Sequence, residues 1–187
     1  MSNEDEFGDI PVINPEELRL VNINLFLTEG HIWPHNIPND HPIKIALAEV
    51  LRRLPEDDFY QATCDVQIII ESMEMLGVSV PFGRTYPQAH LIRFKRDLTV
   101  ALHTIVIFER SLKFSSRALV ALVAHEIAHI FENEDEYGKS ERVTNDLVVR
   151  WGFEKELRQL EEEKKLLRQE SGIIIQKQQD ERPSTKV

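Results

Sequence analysis

The sequence predicts an α+β fold, with a small, mostly antiparallel sheet packed on one central helix and further helices C-terminal to it. Three observations carry this expectation. Residues from Ala118 to Phe131 are apolar on nearly every face, as in a helix covered on most sides by its own domain. Two apolar runs, Ala89–Phe94 and Thr99–Phe108, flank the polar turn Lys95-Arg96-Asp97 in the manner of a β-hairpin. A charged stretch, Glu154–Glu170, carries Leu157, Leu160 and Leu167 at heptad-like positions; Lys164 interrupts them, which favours a lightly packed helix over a coiled coil.

The chain has 187 residues, 42% hydrophobic and 29% charged, enough for one domain around one core. That domain is expected over residues 14–170, between an acidic arm at 1–13 and a polar tail at 171–187. The lone cysteine, Cys64, excludes an intramolecular disulfide and an all-cysteine zinc site. No apolar run approaches the ~20 residues of a membrane span, and the opening MSNEDEFGD is acidic where a secretory leader is basic. A net charge of −10 argues against general affinity for nucleic acid or anionic lipid. A cytoplasmic protein without nucleic-acid or membrane partners is expected. The acidity is local: six acids and no base precede Leu18, and residues 126–141 hold six acids against Lys139 alone.

Element by element, Asn14-Pro15-Glu16-Glu17 opens a helix, with a capping side chain, Pro at the first position and carboxylates near the positive end. The alternation of Val21, Ile23, Leu25 and Leu27 with polar or other residues predicts a strand soon afterwards. Gly30–Pro42 reads as loop. Pro42–Leu54 has helical spacing and is stopped by Pro55. Asp65–Glu71 is β-branched and strand-like, and Gly77–Pro87 reads as loop before the hairpin. Ser115 or Ser116 caps the apolar helix, which runs to about Glu132. A turn over 133–139 follows, with Gly138 as its left-handed residue. Ser140 caps a helix to Trp151 that Gly152 breaks. Beyond Glu170 only Ile173-Ile174-Ile175 is apolar, a triplet suited to pairing with a sheet edge or to lying in a cleft as an inhibitory segment.

Inside the apolar helix lies His125-Glu126-Ile127-Ala128-His129. Histidines four apart project about 40° from each other, so both rings reach one cation, while Glu126 falls on their flank. The pattern is expected by chance roughly 0.03 times in a chain of this length and composition. Burying three ionisable groups unpaired costs several kcal/mol, which a bound metal relieves; two hydrogen-bonded core histidines beside a paired Glu are the structural alternative. Catalytic zinc needs a third protein ligand, and Glu132, Glu134, Asp135, Glu136, Glu141, Asp146, His31, His35 and His41 are the candidates. On the next helix Arg142, Asp146 and Arg150 lie about 100°, 140° and 180° from Glu141 and form a charged i, i+4 ladder for the solvated face. Glu141 is left pointing inward near Thr144, Asn145 and Val148. Its own alternative role is a first-turn acid stabilised by the helix dipole. The loop pair His31 and His35 is more simply explained by packing than by a second metal.

HEIAH on an apolar helix, a short turn, and a helix opening Ser140-Glu141-Arg142-Val143-Thr144-Asn145 resemble the gluzincin metallopeptidases. The resemblance covers about Leu98–Phe153. It implies a small zincin-like domain, one catalytic zinc ion held by His125, His129 and Glu141, and peptide-bond hydrolysis with Glu126 as general base. Asn145 stands where the family's aspartate sits and is placed to orient His125 or His129 through its amide oxygen. The family's transition-state donor implies Tyr137, His103 or Arg84, and its substrate-binding strand implies His103–Phe108 or Ala89–Phe94. The expected partner is therefore a peptide or protein substrate. The competing function is a non-catalytic metal-binding or protein-interaction module on the same scaffold.

Overall fold

The structure is a computed structural model that describes residues 14–64, 66–71, 83–86, 90–94, 97–101, 103–131 and 141–180. Most of these residues are helical. In chain order they form α1 (Pro15–Thr28), β1 (Ile32–Trp33), α2 (Pro42–Arg53), α3 (Glu56–Cys64), β2 (Val66–Glu71) and β3 (Gly83–Tyr86). They continue as β4 (His90–Phe94), β5 (Asp97–Ala101), β6 (His103–Phe108), α4 (Ser116–Ala128), α5 (Glu141–Arg150) and α6 (Glu154–Asp180). Short 3-10 turns cover Glu109–Lys113 and His129–Phe131.

Helix α4 is the centre. Every residue from Ala118 to Ala128 is buried, and α2, α5, α6 and β3 pack around it. Ser115 is its cap, accepting from Ala118 N at 3.3 Å. Ser115 is itself gripped from α6: its N and Oγ donate to the two carboxylate oxygens of Glu163 at 2.8 and 2.6 Å. Leu47 and Leu51 of α2, Leu119 and Leu122 of α4 and Leu160 of α6 are almost wholly buried, each contributing about 2 kcal/mol by removal from water. At the far end of this core the Arg53 guanidinium covers the Phe153 ring at 3.8 Å and pairs with Glu156 at 3.0 Å. It also bonds the carbonyl of Gly152, whose positive φ of 84° turns the chain from α5 into α6.

The main sheet corrects the predicted fold. Its order is β1-β2-β6-β3, with β1/β2 and β2/β6 parallel and only β3/β6 antiparallel. The mostly antiparallel sheet is overturned, and the zincin architecture expected with it is not shown. The cause is connectivity: α2 and α3 lie between β1 and β2 and provide the helical crossover that parallel pairing needs. Inner strand β6 is buried from Thr104 to Phe108, the continuous apolar pattern of a strand covered on both faces. The predicted hairpin is also divided. Thr99–Phe108 is not one strand: β4 pairs antiparallel with β5 in a separate two-stranded sheet, and β6 joins the main one.

Other departures have local reasons. The strand expected after Val21 is helix, because α1 continues to Thr28 and buries Ile23 and Phe26, three apart, while Val21 stays exposed. Asn14 caps it as predicted, accepting from Glu16 N at 3.0 Å. Helix α3 follows Pro55 with three acids in its first turn and buries Phe59 and Ala62. Strands β1 and β3 lie within segments that read as loops. Helix α6 continues past residue 170 to Asp180, so Ile173-Ile174-Ile175 is helical and is not an edge strand. The 1–13 arm and the 133–139 turn lie outside the described residues. Among the described residues, no helix is long and apolar enough to cross a membrane.

Candidate metal centre

The last turn of α4, the 3-10 turn that follows it and the first turn of α5 bring three ligand-type side chains together. The Nε2 atoms of His125 and His129 stand 3.2 Å apart, with the rings nearly perpendicular at 87°. Oε2 of Glu141, the first residue of α5, lies 3.1 Å from His125 Nε2. The ligand atoms of all three residues fall within 4.8 Å of one another. Donor atoms about 2.0–2.1 Å from one tetrahedral zinc stand about 3.3 Å apart, so the separations around His125 suit a shared cation.

The other ring nitrogens face acceptors on α5. His125 Nδ1 lies 3.1 Å from Asn145 Oδ1, and His129 Nδ1 lies 3.3 Å from Thr144 Oγ1. With N–H directed at those oxygens, each ring turns its Nε2 lone pair toward the other and toward Glu141. Three convergent acceptors are a donor set for a borderline cation, and the residues fit zinc. Both histidines are buried, whereas the Glu141 side chain is 72% exposed. The arrangement with both Nε2 lone pairs free is the metal-binding one; without a cation, His125 Nε2 carrying a proton donates to Glu141. This hydrogen bond holds the Glu141 carboxyl down at about 2 against its partial burial, with positive charge on His125, His129 and Lys164 acting in the same direction.

Glu126 lies on the flank of this cluster and is only 5% exposed. Burial pushes its carboxyl above the ordinary carboxylate range, against the opposing pull of His125, His129, Thr85 and Lys164. Strand β3 runs beside it. Thr85 Oγ1 lies 2.8 Å from the Glu126 carbonyl oxygen and 2.9 Å from its Oε2. At Gly83 a Cβ would come within 2.6 Å of Glu126 Oε1, so the carboxylate occupies the space that any side chain there would fill.

The remaining candidates separate clearly. Asp146 faces outward and pairs with Arg142 at 4.0 Å, as the helical phase predicts. His31 is buried against the Phe26 ring with Nδ1 at 2.9 Å from the Val66 carbonyl oxygen. His35 Nδ1 lies 3.0 Å from the Ile32 carbonyl oxygen, and His41 caps α2 by accepting from Ile43 N at 3.3 Å. All three loop histidines therefore do structural work. His103 opens β6 opposite Val66 and is not in the converging group; Arg84 lies on β3 opposite Val106. Tyr137, Glu132, Glu134, Asp135 and Glu136 lie outside the described residues. Gly83, Thr85, Thr144 and Lys164 were not singled out as site residues by the sequence. Only Thr144 carried a usable signal, since it lies one turn beyond Glu141 on the inward side.

Comparison with known protein families, curated proteins and solved structures finds no match for the chain. The gluzincin resemblance thus rests on the HEIAH and Glu141 residues themselves.

Proposed function

We propose that the chain is a zinc-dependent hydrolase of peptide bonds. The observation that carries this reading is the convergence of His125, His129 and Glu141 beside the buried Glu126. His125, His129 and Glu141 would hold the ion, and three protein ligands would leave a fourth coordination position for water or substrate. Zinc supplies Lewis acidity at that place. Asn145 and Thr144 keep the two rings in the orientation that presents Nε2. Glu126 accepts a proton from the attacking water at its carboxylate and returns it to the departing amine nitrogen. A carboxyl raised by burial sits nearer the pH at which such exchange is efficient. A peptide or protein is the substrate class, and a cytoplasmic setting fits the free, exposed Cys64.

A metal-binding module without catalysis is the second reading, favoured by the uncharged Asn145 behind His125, since an amide leaves the ligand less basic than a carboxylate does. Elemental analysis of protein purified without added metal, followed by assay on internally quenched peptides with and without a chelator, tests both. One zinc per chain with chelator-sensitive turnover is expected. Zinc without turnover on any peptide supports the second reading, and absence of bound metal overturns both.

A further inference from the structure

We infer that strand β3 is the positioning element for the Glu126 carboxylate, with Thr85 holding the group and Gly83 leaving the space it fills. This rests on the reading that Glu126 moves the proton in a zinc site. Gly83 and Thr85 are two residues apart on one strand and so share a face. Both are tied into the sheet by β6, opposite Ile107 and Ile105. Both also meet Glu126, one through the absent side chain and the other through its hydroxyl. The face of β3 turned to α4 is thus shaped around this one side chain.

The chemistry requires such support. Glutamate has three rotatable side-chain bonds, and a general base must be held in place to meet the proton it accepts. A shared cation would draw His125 and His129 together, but Glu126 would not be a ligand and needs another anchor. Thr85 is β-branched and restricted about its first side-chain bond, and it is buried. Its hydroxyl has one proton, shared in a three-centre hydrogen bond between two acceptors of the same residue, Oε2 and the backbone carbonyl. That carbonyl is among the last four of α4, groups that look beyond the helix for partners. One hydroxyl therefore links the strand to both the backbone and the carboxylate of Glu126. Thr85 is a positioning residue: it acts through Glu126 and needs no contact with substrate.

The test compares Thr85→Val, which keeps shape without the hydroxyl, with Thr85→Ser, which keeps the hydroxyl. Zinc content, kcat and KM on one cleaved quenched peptide, and crystal structures of the zinc-loaded proteins are measured. In Thr85→Val the zinc content is expected to stay at the wild-type level, KM to stay within about twofold, and kcat to fall at least about tenfold. Its crystal structure is expected to show the Glu126 carboxylate displaced, and Thr85→Ser to recover most of the lost kcat. An unmoved carboxylate in Thr85→Val, or equal loss in both variants, overturns the inference. If zinc-loaded wild type cleaves nothing, the hydrolytic reading fails, while the two crystal structures still decide whether Thr85 positions Glu126. Should Thr85→Val fail to fold, Thr85→Ala takes its place in the same measurements.

Discussion

The side-chain oxygen of Asn145 stands 3.1 Å from Nδ1 of His125, so α5 sets the ring orientation of a residue on α4. A neutral amide oxygen orients the ring but adds no negative charge behind it. Asn145→Leu removes the acceptor at similar size and is expected to weaken zinc binding by about 10–100-fold. Asn145→Asp is expected to bind zinc at least as tightly as wild type. Competition against a chelating dye measures both, and unchanged affinity in Asn145→Leu would remove the orienting role.

Glu126→Gln tests proton transfer without disturbing the ligands. The amide matches the carboxylate in shape and keeps an oxygen toward Thr85, but it is not a base. Zinc content should stay at the wild-type level while turnover falls by about 100-fold or more. Activity equal to wild type refutes the mechanism.

Glu141 offers a cleaner separation of metal binding from folding. Its side chain is 72% exposed, so Glu141→Ala should leave the metal-free protein folded, with Tm lowered only by loss of the hydrogen bond with His125. The same variant should lose most of its zinc after dialysis against a mild chelator. Full zinc occupancy under those conditions removes Glu141 from the ligand set.

His31 provides the pH dependence. Burial lowers its pKa below the ordinary 6.5, opposed by the hydrogen bond with Val66. As pH falls below 6.5 the unfolded chain takes up a proton that the folded ring resists, so stability drops toward the folded-state pKa. The contribution is complete above 6.5, and its steepest slope is about 1.4 kcal/mol per pH unit. Denaturant titrations between pH 5 and 8 should show a shallower acid slope for His31→Gln than for wild type. Equal slopes would assign the acid sensitivity to other groups, His41 among them, which burial also lowers.

The site was more legible in the sequence than the sheet was. HEIAH announces itself because buried ionisable groups interrupt an apolar helix, and helical phase alone separates Glu141 from Asp146. Those inferences need only one helix at a time. Strand direction is different: VQIIIE of β2 reads alike whether its partner runs parallel or antiparallel, and the answer depends on where α2 and α3 carry the chain. In α1 the alternating residues obey both periods, and burial of Ile23 and Phe26 by neighbouring elements decides for helix. Strand β3 is only Gly-Arg-Thr-Tyr, too short and too polar to stand out. With it, Gly83 and Thr85 stayed hidden, because their importance lies in what Glu126 places against them.

The grip of Glu163 on Ser115 has a consequence for motion. Helix α4 is tethered to α6 at its start and to α5 at its histidines, so no part of it is free to open alone. Its mid-helix amide protons should exchange with solvent only when the whole molecule unfolds, on the slowest time regime the domain possesses. A cation bound at His125 and His129 would then slow exchange throughout α4 as well as at the ring-bearing turn. Ligand occupancy and global unfolding become a single linked equilibrium, in which each tenfold rise in free ion above its Kd adds about 1.4 kcal/mol to the native state.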